Sequence, residues 1–187
     1  MKLKLITAVI VVLAAAPWAQ AVEFNAIQND KSTLAFVFKQ MGVPMEGKFG
    51  RFAAQIAFDP AKPAAAKAAM DLDLASIDAG SAEANEEVAG KNWFNTKAFP
   101  QAKFVASAVK GLGGNRYEIA GKLTIKGRTQ EVSAPFTFTP QGAAAVIDGS
   151  FVLKRADFAL GEGAWADFGT VANEIQIKFH FLANVKK

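Results

Sequence analysis

The sequence contains no cysteine, one histidine (His180) and one tyrosine (Tyr117). The missing thiols exclude disulfide staples, thiolate metal sites and cysteine nucleophiles together. A single imidazole leaves no histidine metal cluster, and a Ser–His catalytic pair would have to use His180. Charge of one sign is also scarce: 21 Lys and Arg stand against 17 Asp and Glu, a net +4, and the basic residues are scattered. Although the isoelectric point is near 9.3, this is no footprint of a nucleic-acid binder. Beyond the amino-terminal segment no apolar run is long enough for a transmembrane helix.

That segment reads as an address. Met1-Lys2-Leu3-Lys4 is a basic start, and Leu5 to Ala16 is apolar apart from Thr7. Ala19-Gln20-Ala21 offers small residues at both positions of an A-x-A cleavage site, the layout of a secretory signal peptide. The run is shorter than the ~20 residues that span a bilayer. Cleavage after Ala21 would leave 22–187 as one domain, expected in the periplasm.

What is present is apolar residue in alternation. The chain is 51% hydrophobic and holds 16 Phe. Tyr117, Ile119, Gly121, Leu123 and Ile125 share one strand face, opposite Glu118, Lys122, Thr124 and Lys126. Similar rows are Leu34-Phe36-Phe38; Met70-Leu72-Leu74 against Asp71 and Asp73; Phe104-Ala106-Ala108; Val132-Ala134-Phe136-Phe138; Ala145-Ile147-Gly149-Phe151-Leu153; and Ile175-Ile177-Phe179-Phe181. Turn signals separate them at Gly111–Asn115, Lys126-Gly127-Arg128 and Pro140-Gln141-Gly142. Phe49 and Phe52 have opposite parity, which predicts a β-bulge at Gly50. Helix is expected only at 81–89, with Ser81 as N-cap and an end at Gly90, and as a short turn within 59–69.

Eight such strands must hide one apolar face each. An all-β, eight-stranded antiparallel barrel in meander order, with one or two short helices, does so. Its rows mix Phe with Ala and Gly. Two outcomes follow equally from that mixture: small residues leave a cavity, or they match Phe from facing strands in a solid core.

A set of ordered motifs resembles the YceI-like family of exported, lipocalin-like proteins. They are Gly47-Lys48-Phe49, Phe58-Asp59-Pro60, Trp93-Phe94-Asn95, Phe99-Pro100, Leu123-Thr124-Ile125-Lys126-Gly127, Arg155-Ala156-Asp157-Phe158 and Glu174-Ile175-Gln176-Ile177. The chain departs from the family pattern at Gln40, where His is common, at the acidic 83–88 segment, and at Ala159, where Gly is usual. The resemblance implies an apolar tunnel holding a polyisoprenoid, a ubiquinone-like lipid, or a fatty acid or amide. It requires no other cofactor, and implies a long-chain lipid as partner, no nucleic acid and no catalysis. The lining expected from it is Phe36, Phe38, Leu72, Leu74, Phe94, Phe104, Tyr117, Ile119, Leu123, Phe136, Phe151, Trp165 and Phe179. Trp93-Phe94, Phe99-Pro100 and the short helix would cover one barrel end. Arg155, Asp157 and Trp165 fall either at the mouth or, for the first two, in an ion pair that orders the loop.

Other readings are weaker on the residues. His180 has the parity of Gln176 and Lys178 and should face water. Asp71/Asp73 and Glu86/Glu87 have no apolar frame to raise a carboxyl pKa, so they read as solvated surface. Gly161-Glu162-Gly163 is not followed by the Lys-Ser/Thr of a phosphate loop. A redox accessory that presents a quinone to a membrane cytochrome is the alternative of a different class. Lys126, Arg128, Lys186 and Lys187 would at most graze an anionic membrane surface. The rows facing away from the Phe residues carry Lys, Glu, Asp and Thr, which excludes an outer-membrane barrel. Both a monomer and a homodimer are compatible with the sequence.

Overall fold

The computed structural model describes residues 23–185; the signal segment read from the sequence and Lys186-Lys187 lie outside them. The strands are β1 (Phe24–Ile27), β2 (Thr33–Gln40), β3 (Val43–Phe49), β4 (Phe52–Phe58), β5 (Lys67–Asp73), β6 (Ile77–Asp78), β7 (Gln101–Gly113), β8 (Arg116–Ile125), β9 (Arg128–Gln141), β10 (Ala144–Lys154) and β11 (Glu174–Val185). The α-helix among the described residues is α1 (Ala82–Ala89). All neighbours are antiparallel, and pairing of β1 with both β4 and β11 closes the sheet on itself.

Three of the barrel strands are each written as two pieces. β1 and β2 are separated by a 3-10 turn at Asn29–Lys31, β3 and β4 by Gly50-Arg51, and β5 and β6 by a 3-10 turn at Leu74–Ser76. Counted as continuous strands, the sheet is a closed eight-stranded up-and-down barrel, as the alternation predicts. The Gly50 irregularity has a clear cause. Gly50 N–H donates to the Ser76 carbonyl and Arg51 N–H to Ser76 Oγ, both at 2.9 Å, so the break is pinned to the break in the next strand. Above this level β6 pairs with β3 alone, and β5 leaves β7 after Asp73↔Gln101. The chain from Ala79 to Pro100, including α1, is therefore carried across this end of the barrel.

The sequence row Phe104-Ala106-Ala108 does not survive intact. The register between β7 and β8 shifts between Ala106 and Ala108, so Ala108 is exposed and Val109 is buried. Ser107 is the extra residue, and its hydroxyl donates to the Ala120 carbonyl at 3.2 Å. The short turn expected within 59–69 is a single 3-10 turn, Pro63–Ala65, and β5 begins at Lys67.

The interior is solid at one end. Phe24, Phe58, Tyr117, Phe136 and Phe138 pack ring against ring: centroids lie 4.9 Å apart for Phe24–Phe138 and Phe58–Phe138, and 5.1 Å for Phe58–Tyr117. Edge-to-face pairs of this kind are each worth about 0.5–1.5 kcal/mol beyond area burial. Near mid-barrel the wall is drawn in by Gly121. A Cβ there would collide with the Val105 carbonyl and the Phe104 ring, so β7 and β8 approach more closely than any side chain allows.

Gly121→Ala is therefore expected to destabilise the barrel by about 1–3 kcal/mol, the usual cost of overpacking. A urea denaturation series that leaves the midpoint unmoved would contradict this close approach.

Candidate ligand-binding site: an apolar cavity beneath helix α1

The other end of the barrel is hollow. A cavity of about 590 Å³ opens beneath α1, within the ~300–1,000 Å³ range of small-ligand sites. Inward rows of β2, β5, β8 and β10 supply its wall, with Phe36, Phe38, Leu72, Leu123, Phe151 and Leu153 among them. Leu74, fully buried, closes it at the 3-10 turn after β5.

Eight of the residues predicted as lining stand on this wall: Phe36, Phe38, Leu72, Leu74, Phe94, Leu123, Phe151 and Trp165. Five stand elsewhere. Tyr117, Ile119 and Phe136 belong to the aromatic packing of the closed end, with Tyr117 and Phe136 stacked at 5.4 Å. Phe179 stacks on Phe181 at 5.4 Å where the two halves meet, and the Phe104 ring covers Gly121. The rows continue along the whole barrel, so parity placed these five correctly inside without telling which end is empty.

Trp93 and Phe94 do more than plug an end: both line the cavity, whereas Phe99 and Pro100 do not. Gln40, Met45, Met70, Arg155 and Val171 also line it; of these, sequence reasoning offered Arg155 at the mouth and put Met70 on an inward row, but named none of the five as lining. A signal was there for two of them. Gln40 continues the inward row Leu34-Phe36-Phe38, and Arg155 continues Phe151-Leu153, so each is a polar residue at an inward position.

Helix α1 borders the opening. Ser81 Oγ accepts the Ala84 N–H at 3.1 Å, and Asn85 Oδ1 accepts the Ala79 N–H at 2.6 Å, tying both ends of the first turn. Glu83, Ala84, Glu87 and Val88 then share the face turned to the cavity. Trp165 Nε1 donates to Glu87 Oε1 at 2.6 Å and so joins the helix to the loop across the opening.

That loop is organised by Arg155, which is 1% exposed. It does not pair with Asp157; the ion pair considered from the sequence is absent. Instead Nη1 donates to the Leu160 and Gly161 carbonyls at 2.7 and 2.9 Å, and Nη2 to those of Trp165 and Val171 at 2.7 and 2.9 Å. Nε is shared between Val171 and Ala172 at 3.3 Å. All five N–H groups are used. Burial lowers the guanidinium pKa, but the carbonyl dipoles and the Trp93 and Phe168 rings, 5.3 and 5.0 Å away, replace a counter-ion. Gly161 is required beside it: φ is +75° and a Cβ would strike the guanidinium. Lys126 adds a second tie, donating to the Ala159 carbonyl at 2.7 Å and Glu162 Oε2 at 2.9 Å.

Chemically, the site has little beyond shape. Trp93 Nε1 is buried with no hydrogen-bond partner. His180, on the outer face, holds Asp148 at 2.6 Å and lies away from the cavity.

A closed antiparallel barrel, packed solid at one end and hollowed by an apolar cavity at the other, is the architecture of a barrel that binds a hydrophobic ligand. The YceI-like domain model matches residues 26–183, and the chain belongs to that family. UPF0312 proteins of Pseudomonas putida (strain W619) and Azotobacter vinelandii are 36% and 30% identical over 127 and 137 residues. These matches cover 64% and 70% of this chain, and 66% and 69% of the relatives; the chain thus spans about two thirds of their length. Among solved structures, BcnA of Burkholderia cenocepacia superposes with TM-score 0.83 at 48% identity, over 85% of this chain and 100% of that one. A domain from Saccharophagus degradans, described as polyisoprenoid-binding and implicated in plant cell wall breakdown, shares the fold with TM-score 0.68 at 15% identity, over 89% and 99% of the two chains.

Arg155→Lys keeps the charge but supplies three donors where five are used. Carbonyls left unpaired in a buried site should cost about 2–4 kcal/mol, read as a lower urea midpoint. A variant as stable as the parent would show that the carbonyl cage is not what holds the loop.

Proposed function

We propose that this protein is an exported, non-catalytic carrier or store that holds one long apolar chain in the cavity beneath α1. The chain is that of a polyprenol, a quinone tail or an acyl lipid. The observation that carries the reading is the cavity itself: about 590 Å³, walled mainly by aliphatic and aromatic side chains, with few polar residues among its lining. The shared fold with a domain described as polyisoprenoid-binding supports it. The basic start, apolar run and Ala19-Gln20-Ala21 support export to the periplasm.

The volume sets the length of chain. At ~30 Å³ for a water-sized group the cavity takes on the order of 20 methylene-sized groups. Burying them is worth roughly 16 kcal/mol before costs. Association and ordering cost about 4–15 kcal/mol. The apolar chain alone thus offsets the cost of binding, and selection is by length and shape.

Native mass spectrometry of protein prepared gently from the periplasm, followed by organic extraction, should find a discrete lipid mass. Protein that is empty and refuses added polyprenol or quinone would sink the reading. Leu123→Asp, on the cavity wall, should abolish loading in a folded protein, whereas Ile119→Val, in the packed half, should leave it unchanged.

A series of linear alcohols gives an independent check. Affinity should rise about tenfold for every two carbons and level off near 20. A plateau at half that length would mean that the lower part of the cavity is not used.

A further inference from the structure

The mouth of this cavity is lopsided in charge. Among the residues that line it, the charged ones are Glu83, Glu87 and Arg155. Every N–H of Arg155 is already given to a main-chain carbonyl. At the positive end of α1, Ser81 Oγ takes the Ala84 N–H, and the Glu83 carboxylate takes its own backbone N–H and the Ser81 hydroxyl. Those bonds hold the Glu83 carboxyl below its ordinary range, so it is charged at neutral pH. Trp165 Nε1 is given to Glu87; Trp93 Nε1, buried and without a partner, is an uncommitted neutral donor. Gln40 adds a neutral amide.

From this inventory we propose that the site takes amphiphiles with a cationic or a neutral, hydrogen-bond-donating head group, and rejects carboxylates and phosphates. The inference rests on the reading that one apolar chain fills the cavity, and adds what that chain carries at its exposed end. An anionic head would meet two carboxylates and no free cation. An ammonium or hydroxyl group would find acceptors on Glu83 and Glu87.

The helix gains from one of these acids and not from the other: Glu83, in the first turn, stands at the positive end of the helix dipole beside the Ser81 cap. Glu83 and Glu87 lie four residues apart on one face, a like-charge pair that weakens a helix. Glu86 and Glu87 also stand in the last turn, at the negative end of the helix dipole, where basic residues are favoured and none is present. Helix stability therefore accounts for Glu83 but not for Glu87, whose place at the opening, bonded to Trp165, does.

The test uses three probes with one chain: hexadecylammonium, hexadecanol and hexadecanoate, each below its aggregation threshold and each competing against a fluorescent apolar dye. Hexadecylammonium and hexadecanol should displace the dye. Hexadecanoate should bind at least about tenfold more weakly than hexadecylammonium at low salt, a gap of the size expected for two nearby charges. Raising the ionic strength of the unaltered protein should narrow it. Glu83→Gln combined with Glu87→Gln should nearly close it, because the amide still accepts from Trp165 while both charges are gone; a circular dichroism spectrum and urea midpoint matching those of the parent report that this variant is folded. Equal affinities for the ammonium and the carboxylate, or a gap indifferent to salt, overturns the head-group inference and leaves chain binding standing. Failure of hexadecanol to bind at all overturns both.

Discussion

Arg155 is a full charge taken out of water with no carboxylate beside it, and five carbonyls from Leu160 to Ala172 close around it. A buried ion is tolerated only when its donors are all satisfied. Here that condition fixes the path of the segment. The segment cannot spread over the opening, because its carbonyls must point to one place. It cannot fall away, because each carbonyl that lets go leaves a donor unpaired. Trp165 is thereby set opposite α1, and Val171 is set against the end of β2 through the Gln40↔Val171 bridge. The hollow end of the barrel is thus kept open by a polar contact, as the closed end is kept full by aromatic ones.

The two halves show how one pattern of alternation gives two interiors. At the closed end five aromatic rings from β1, β4, β8 and β9 meet near the barrel axis and fill it. At the open end the third strand turns away from the fourth after Asp73, and the chain over the top is an eight-residue helix with no fully buried residue. Such a helix covers a cavity without filling it. The breaks in the second and third strands, tied together at Gly50, Arg51 and Ser76, mark the level where the wall changes course.

Much of this was legible in the residues. Period-two alternation identified the strands, the parity slip at Gly50 located the break, and Ser81 with Gly90 bounded the helix. Parity also put all thirteen expected lining residues on inward rows or in the covering segment. What it could not do was rank them along the barrel axis. Tyr117 and Leu123 share one row, yet one is stacked on Phe136 and the other faces the void. That distinction depends on which rings arrive from strands far away in sequence. The Ser107 bulge was hidden for a related reason: it is a shift in pairing against β8, a strand reached only across the next turn. Arg155 was visible as a charge on an inward row, and a carboxylate partner was the ordinary expectation. A guanidinium satisfied by carbonyls alone needs a loop of the right shape, and loop shape is not written in periodicity.

A cavity with these walls discriminates poorly among oily chains, because apolar contact has no direction and each added methylene is worth about the same wherever it lies. Discrimination has to come from where the walls stop. They stop at α1 and the Trp165 loop, and there the guanidinium of Arg155, the Trp165 indole and the Ala84 N–H are already committed to the protein's own carbonyl, carboxylate and hydroxyl oxygens. The same bonds that hold the opening in shape therefore leave acceptors, and few donors, facing outward. Structural order at the rim and the chemical character of the rim have one cause. A replacement that freed a donor at the rim, by breaking the Arg155 cage or the Trp165–Glu87 bond, would alter the shape of the opening together with its preference.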